Sequence, residues 1–465
     1  MSGSGGHDTT IRGWAVDPGT GHEGAAALEV RDGVLERLVW LSGADAEGLT
    51  PGAALILPGL IDLHAHFREP GNEDAETVAT GLAAAAHGGF TTVALMPNTT
   101  PALDEPSVLG RVLAAAGASG SPVRVLAHGA VTTGRKGETL SAMGELADAG
   151  VVGFSDDGAP VRSATVLRNA LAYAGALGIP IVDHPEDLSL TEGAEASEGY
   201  VATVLGLKGW PAAGEAGSVA RSLAVLADVV RDVPGARLHL THVSTASSLE
   251  HVRAAKAAGL PVTCDITPHH LALADEWIAG ARRWAWEALD GDGRARDPWA
   301  DGALVARPYD TSLRVNPPLR SAQDAAACRA ALRDGTADAI ATDHAPHTEV
   351  DKHVEFGWAA NGISGIETAL SVVLAAVAAG ELPLATAVAL LTTGPARVLG
   401  ARGGTAPGLR AGEPADLVVV DASGAWTPSA ASLVSKGKNT PLLGRVLPGV
   451  VRLVLAGGRL AYAGD

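Results

Sequence analysis

The sequence predicts an α/β fold: a closed (β/α)8 TIM-like barrel carrying a small β domain formed from both chain termini. Three observations carry that prediction. Short apolar runs alternate with Ala/Leu-rich helical stretches through the middle of the chain, eight such runs can be placed, and both ends of the chain show β patterns instead. No Gly-x-Gly-x-x-Gly follows the first run, which argues against a dinucleotide-binding sheet.

Taken in order, residues from about Ile11 to Ala53 show short apolar segments between Gly and Asp turns, so 1–54 are expected to supply the N-terminal part of the small β domain. The barrel is expected over 55–400. Its strands are placed at Leu55 to His66, Thr91 to Met96, Val123 to Ala127, Val151 to Phe154, Pro180 to Asp183, Arg237 to His242, Pro261 to Asp265 and Ala339 to Thr342. Helical stretches such as Glu73 to His87, Ser163 to Leu177, Ser218 to Asp232 and Ser247 to Gly259 separate them. After two further helices, Ser364 to Ala379 and Leu384 to Leu399, β patterns return at Ala415 to Asp421, Val451 to Ala456 and Arg459 to Tyr462. Residues 401–465 therefore complete the small domain. The segment Asp275 to Pro308, with Trp277, Trp284, Trp286 and Trp299 among charges and glycines, is too long for a simple barrel loop. It reads as a surface insertion, a lid or an interface patch.

The chain has 465 residues, of which 47% are hydrophobic and 18% charged, an ordinary globular balance. A formal charge of −18 argues against nucleic-acid or anionic-membrane partners, but a small anionic substrate needs only a few local cations. Cys264 and Cys328 lack metal-type spacing and read as free thiols in a reducing cytosol. The stretch Met1 to Asp8 has no basic region followed by an apolar core, and the alanine-rich runs stop short of membrane-spanning length. A soluble, cytoplasmic protein is expected.

The stretch Pro58 to Pro70 reads as a strand and its turn. Side chains two apart on a strand share a face, so His64 and His66 can hold one metal ion with Arg68 just beyond. Alone, His-x-His reads more readily as an accident of a polar strand end. The ends of other strands change that: Asp156-Asp157 on the fourth, His184 on the fifth, His242 on the sixth, and Asp343, His344 and His347 on the eighth. Active groups of such barrels lie at these ends. Imidazole and carboxylate ligands without thiolates suit zinc, or Mn, Co or Ni. Five or six ligands exceed the need of one tetrahedral ion, so two ions about 3.5–4 Å apart are expected.

These residues sit in longer motifs: Pro58-Gly-Leu-Ile-Asp-Leu-His-Ala-His-Phe-Arg-Glu-Pro-Gly71, Met96-Pro-Asn-Thr99, Gly153-Phe-Ser-Asp-Asp-Gly158, Asp183-His-Pro-Glu-Asp187, His242-Val-Ser-Thr245, Thr267-Pro-His-His-Leu271, Val315-Asn-Pro-Pro-Leu-Arg320, Ala341-Thr-Asp-His-Ala-Pro-His347 and Gly365-Ile-Glu-Thr-Ala-Leu370. In them the chain resembles bacterial type I dihydroorotases of the amidohydrolase superfamily over nearly its whole length. The resemblance implies that His64, His66 and Asp343 bind one metal, His184 and His242 a second, and Asp157 bridges. Asp157 is preferred to Asp156 only because it takes the second position of the family's Asp-Asp-Gly. It further implies Arg68, Asn98 and His347 as anchors for a substrate carboxylate, and Asn316 and the backbone near Gly362 as contacts for a pyrimidine ring. His269, His270 and His344 are read as structural.

The implied activity is the reversible conversion of N-carbamoyl-L-aspartate to L-dihydroorotate and water, with Asp343 moving the proton. Homo-oligomerisation, and aspartate transcarbamoylase as a partner, are expectations of the same origin. The nearest rivals, dihydropyrimidinase/hydantoinase and allantoinase, usually bridge their metals with a carboxylated Lys on the fourth strand, where this chain has none. A non-catalytic scaffold would be expected to have lost ligands. Two departures stand out: Ala360-Asn361-Gly362 replaces the Pro-Phe-Gly common in relatives, and the Trp-containing segment is long. The polar, Gly-containing Thr348 to Trp358 would permit a closing loop.

Overall fold

A computed structural model describes residues 8–404 and 407–464, so the reading of the extreme N-terminus lies largely outside the described residues. The chain begins as an antiparallel meander of β1 (Thr9–Asp17), β2 (His22–Arg31) and β3 (Val34–Trp40). Asp32 and Gly33, both at positive φ (48° and 78°), make the tight turn between β2 and β3, which suits the right-handed twist of the strands it joins. β4 (Ala54–Pro58) then returns parallel to β1.

At Gly59 the chain leaves this sheet and enters the barrel as β5 (Leu60–Ala65). The run Leu55 to His66, expected as one strand, is therefore two strands in two sheets. Close packing at the junction requires glycine there: a Cβ on Gly59 would lie 2.1 Å from Thr91 Oγ1 and 2.8 Å from Asp416 Oδ1.

The barrel continues through β6 (Phe90–Leu95), β7 (Arg124–Gly129), β8 (Gly153–Phe154) and β9 (Ile181–Asp183). A two-stranded ribbon, β10 (Ala196–Ser197) with β11 (Gly209–Trp210), sits outside it. β12 (Leu238–Leu240), β13 (Val262–Ile266) and β14 (Ala339–Ile340) complete a parallel eight-stranded sheet in sequence order. Its edges meet where Ala65 bridges His344 and His66 N–H donates to His344 O at 2.9 Å. Ser or Thr residues cap the helices that follow several strands: Thr77, Ser163, Thr245 and Ser321 each accept a backbone N–H of the first turn. One end of the barrel is closed by an apolar plug in which Ile61, Leu63, Val152 and Ala339 pack with Val398 and Leu399.

The last strands, β15 (Leu417–Trp426), β16 (Leu447–Ala456) and β17 (Arg459–Ala463), join the first ones through antiparallel pairing of β15 with β4. The seven-stranded sheet is thus built from both ends of the chain, as expected. The connection 427–446 leaves this sheet and crosses to the barrel mouth.

The first part of the tryptophan-containing segment, through Trp286, packs onto the molecule, whereas 290–308 is largely exposed. Trp277 is fully buried, its Nε1–H donates to Arg283 O at 2.6 Å, and Trp284 and Trp286 stack, with Arg445 3.9 Å over Trp284. One described stretch, Leu384–Gly403, is long and apolar enough to cross a membrane; half of it is buried in the molecule, and its backbone breaks from helical geometry at Thr392.

The junction generates a prediction. Gly59→Val should cost about 3 kcal/mol of stability through overpacking against Thr91, read as a lowered melting temperature. An unchanged melting temperature would show that the two sheets separate freely there.

Candidate metal centre

The site begins with an irregularity in β5. Asp62 pairs with Val93 and Ala65 with Leu95, so one extra residue is accommodated between them, and side-chain alternation slips. Ile61 and Leu63 can then serve the apolar plug while His64 and His66 both face the mouth. Their Nε2 atoms lie 3.2 Å apart.

The carboxylates come from the turn after β8. Asp156 is consumed by the backbone: it accepts from Val131 N–H (2.9 Å), Thr132 N–H (3.1 Å) and the Thr132 hydroxyl. Asp157 faces the other way, with its carboxylate oxygens 3.3–3.6 Å from nitrogens of His64, His66, His184 and His242. Of the two adjacent aspartates, it is Asp157 whose carboxylate lies among the four imidazoles. Asp343 Oδ1 lies 3.1 Å from His66 Nε2 and 3.4 Å from His64 Nε2.

Two of the four imidazoles are aimed by a hydrogen bond on the far side, whereas His64 Nδ1 and His242 Nδ1 are buried without a hydrogen-bond partner among the described residues. His66 Nδ1–H donates to Asn98 Oδ1 (2.8 Å) and His184 Nε2–H to Glu186 Oε2 (2.9 Å), which points His66 Nε2 and His184 Nδ1 inward. His184 Nδ1 lies 2.9 Å from His242 Nε2. Asp265 holds the His242 backbone N–H at 2.7 Å and is itself bonded by His239 Nε2 at 2.9 Å. Among the described residues six non-glycine residues have positive φ, and Arg68 (59°), His242 (39°) and Asp343 (47°) are three of them, so backbone strain is concentrated at this site. Arg68 accordingly reaches the mouth through a left-handed turn, not by the strand alternation expected for it.

Such an assembly calls for cations. His64, His66 and Asp157 form one cluster whose ligand atoms lie within 4.8 Å of one another, and Asp157, His184 and His242 form a second. Burial opposes charge on His64, yet Asp157 and Asp343 outweigh it and push the ring up to about 9; His184 is raised to about 10 by Asp157 and Glu186 against the same opposition. Burial would raise the Asp343 carboxyl, but His64 and His66 overcome this and hold it below the usual range. Nitrogen and carboxylate donors without thiolate fit zinc or a similar divalent ion, and Asp157 belongs to both clusters.

Above these groups lies a cavity of about 190 Å³, lined by Arg68, Asn98, Asn316, His347 and Gly362 as well as by the ligands. Arg68 Nε–H donates to Pro346 O (3.1 Å), and its Nη2 lies 3.3 Å from His347 Nε2. Burial, then Arg68 and Lys352, push His347 down to about 3, so its ring is neutral. Asn316 Nδ2–H donates to Glu186 Oε2 (2.9 Å), which turns the Asn316 carbonyl oxygen away from that carboxylate. Gly362 cannot donate to a ligand, because its N–H is given to Arg314 O at 2.9 Å. Its lack of a side chain matters more: a Cβ there would meet Ala345 Cβ at 2.6 Å.

Of the histidines read as structural, His270 spans Thr267 Oγ1 (2.8 Å) and Pro317 O (3.1 Å), and His344 Nδ1 accepts from Gly365 N–H (3.2 Å). His269 is buried and held neutral by that burial and by His270. Sequence reasoning missed Glu186, Asp265 and Lys352. Glu186 stands two residues from His184 and Asp265 at the end of a predicted strand, so proximity to a ligand or strand end could have singled them out. Lys352 had no such signal. Its Nζ donates to Thr311 O (3.1 Å), Arg314 O (3.2 Å) and Ala360 O (2.6 Å), pinning the 348–358 segment beside the cavity.

Comparison with known proteins follows the same line. A family model described as dihydro-orotase-like matches residues 53–248. The dihydroorotase of Anaeromyxobacter dehalogenans is 46% identical over 97% of both chains, and that of Pelotomaculum thermopropionicum 44% identical over 96% of both. Among solved structures, the L-hydantoinase (dihydropyrimidinase) of Arthrobacter aurescens superimposes with a TM-score of 0.76 at 23% identity, over 97% of this chain and 95% of that one. At that identity the likeness concerns the fold.

The two aspartates should separate on substitution. Asp157→Asn is expected to lose most bound metal by elemental analysis, whereas Asp156→Asn should retain metal and cost about 1–3 kcal/mol in thermal unfolding. The reverse pattern would exchange their roles.

Proposed function

The chain belongs to the dihydroorotase family, and we propose that it catalyses the reversible cyclisation of N-carbamoyl-L-aspartate to L-dihydroorotate and water in pyrimidine biosynthesis. The observation that carries this reading is the convergence on one cavity of two metal-competent clusters, the Asp343 carboxylate and the Arg68 guanidinium.

His64, His66 and Asp343 would hold one ion and His184 and His242 the other, with Asp157 between them. Two divalent ions, zinc by preference and Mn, Co or Ni as alternatives, would activate water and polarise the carbonyl under attack. Asp343 is anionic at neutral pH and lines the cavity, which suits it to accept the water's proton and return it to the departing ring nitrogen. In ring closure it begins protonated. Arg68 offers the substrate carboxylate a permanently charged grip, and Asn98 and the neutral His347 add directional contacts. The Asn316 carbonyl, freed by the bond of its amide to Glu186, is available to a ring N–H. Gly362 contributes space and a carbonyl rather than a donor.

Hydantoinases share the fold, but the hydantoinase and allantoinase alternatives are disfavoured because the turn after β8 offers Asp156-Asp157 and no Lys, with Asp157 the group that would bridge. The complete ligand set weighs against a non-catalytic scaffold. A cytoplasmic location belongs to the proposal and is supported by the free, buried Cys264 and Cys328. Self-association and binding of aspartate transcarbamoylase are further parts of it that rest on the family resemblance, and co-elution of the purified proteins tests them.

Purified protein should hydrolyse L-dihydroorotate with about two equivalents of bound metal, and do so faster than dihydrouracil, hydantoin or allantoin. Metal without dihydroorotate turnover would move the assignment to another cyclic amide. Ring closure takes up one proton, so its rate should fall as pH rises while ring opening accelerates. Coincident forward and reverse profiles would remove Asp343 from proton transfer. Asp343→Asn should lower turnover about 10²–10⁴-fold with substantial metal still bound.

A further inference from the structure

The substrate-side wall of the cavity is held by a residue outside the barrel. His347 and Ala345 follow β14, and Gly362 lies on the far side of the 348–360 excursion; the two flanks meet where His344 bridges Ile363 and Ala345 N–H donates to Ile363 O at 2.9 Å. Across this meeting point lies Asn439, delivered by the 427–446 connection of the terminal sheet and 5% exposed. Its Oδ1 accepts from His347 N–H (2.8 Å), and its Nδ2 donates to Ala345 O (3.0 Å) and Gly362 O (2.9 Å). Its own carbonyl accepts from Ser364 N–H at 3.0 Å. One amide thus uses its acceptor and both donors on backbone groups of both flanks, a combination that neither a carboxylate nor a hydroxyl can reproduce.

The connection is itself anchored. Val434 and Ser435 give their N–H groups to Glu367 at 2.7 and 3.0 Å, and the Ser435 hydroxyl donates to Glu76 at 2.5 Å. At Gly437 the chain lies so close to the wall that a Cβ would sit 2.7 Å from His347 N.

We propose that Asn439 is a positioning residue for substrate binding: it sets the separation of the Ala345–His347 and Gly362 flanks, and so makes the terminal sheet part of the active-site assembly. The inference rests on the dihydroorotase reading for its kinetic consequence but not for its structural one. Asn439→Ala removes all three bonds. Asn439→Asp keeps the acceptor for His347 and sets negative charge against two carbonyl oxygens.

Both variants should raise KM for L-dihydroorotate about tenfold or more, with kcat within about threefold and metal content unchanged. Hydrogen exchange at His347 N–H, measured on the same samples, should accelerate in Asn439→Ala and stay close to the parent protein in Asn439→Asp. This readout needs no turnover, so a parent protein inactive on dihydroorotate would overturn the functional reading and leave the exchange result to decide the clamp. Unchanged KM in both variants, or kcat falling in step with lost metal, would overturn the inference. So would unchanged exchange in Asn439→Ala. Should Asn439→Ala fail to fold, Asn439→Ser carries the same test.

Discussion

Four imidazoles and two carboxylates crowded at one end of a barrel form an arrangement that water alone cannot satisfy. Lone pairs on His64, His66, His184 and His242 converge with Asp157 and Asp343 in a buried mouth, and so much donor density out of water is stable only around positive charge. Much of the surrounding structure consists of devices that hold these groups inward: the extra residue in β5, the left-handed residues His242 and Asp343, and the far-side partners Asn98 and Glu186. None touches more than one or two ligands. Together they remove the rotational freedom that would let the ligands turn away from one another.

The same partners link the metal side of the cavity to the substrate side. Glu186 accepts from His184 and from Asn316, so one carboxylate aims a proposed metal ligand and a proposed ring contact together. Arg68 and His347 are coupled more directly, because the guanidinium beside the buried ring helps keep it neutral. On this side of the cavity an anionic substrate would therefore meet the Arg68 guanidinium flanked by the neutral His347 and Asn98, an arrangement that reads position as well as charge.

The terminal sheet does more than cap the barrel. It receives β4 at one edge of the junction at Gly59 and sends the 427–446 connection back over the mouth, where Asn439 ties the two flanks of the wall. Two buried acids, Glu76 and Glu367, fasten that connection to the barrel. Sheet and barrel are thus joined at the apolar junction and again at the site, and a displacement of one would be felt at the other.

Much of this was legible in the chain itself. The alternation of apolar runs and Ala-rich helices reports the barrel because each strand and helix must bury a face, and His64, His66, His184, His242 and Asp343 announce themselves as ligating types at strand ends. Local pattern could not show that Leu55 to His66 divides between two sheets, since both halves are apolar and only their pairing partners, β1 and β15 for one and β6 for the other, separate them. Nor could it distinguish Asp156 from Asp157, adjacent and chemically identical until the backbone of Val131 and Thr132 claims one of them. Asn439 and Lys352 act through hydrogen bonds to groups far along the chain, and such partnerships exist only once the chain has folded. The sequence alone thus determined the fold class and the ligand chemistry, both consequences of local periodicity and residue type; the aim of each ligand and the shape of the substrate wall were decided by tertiary structure, because they depend on contacts between residues that only folding brings together.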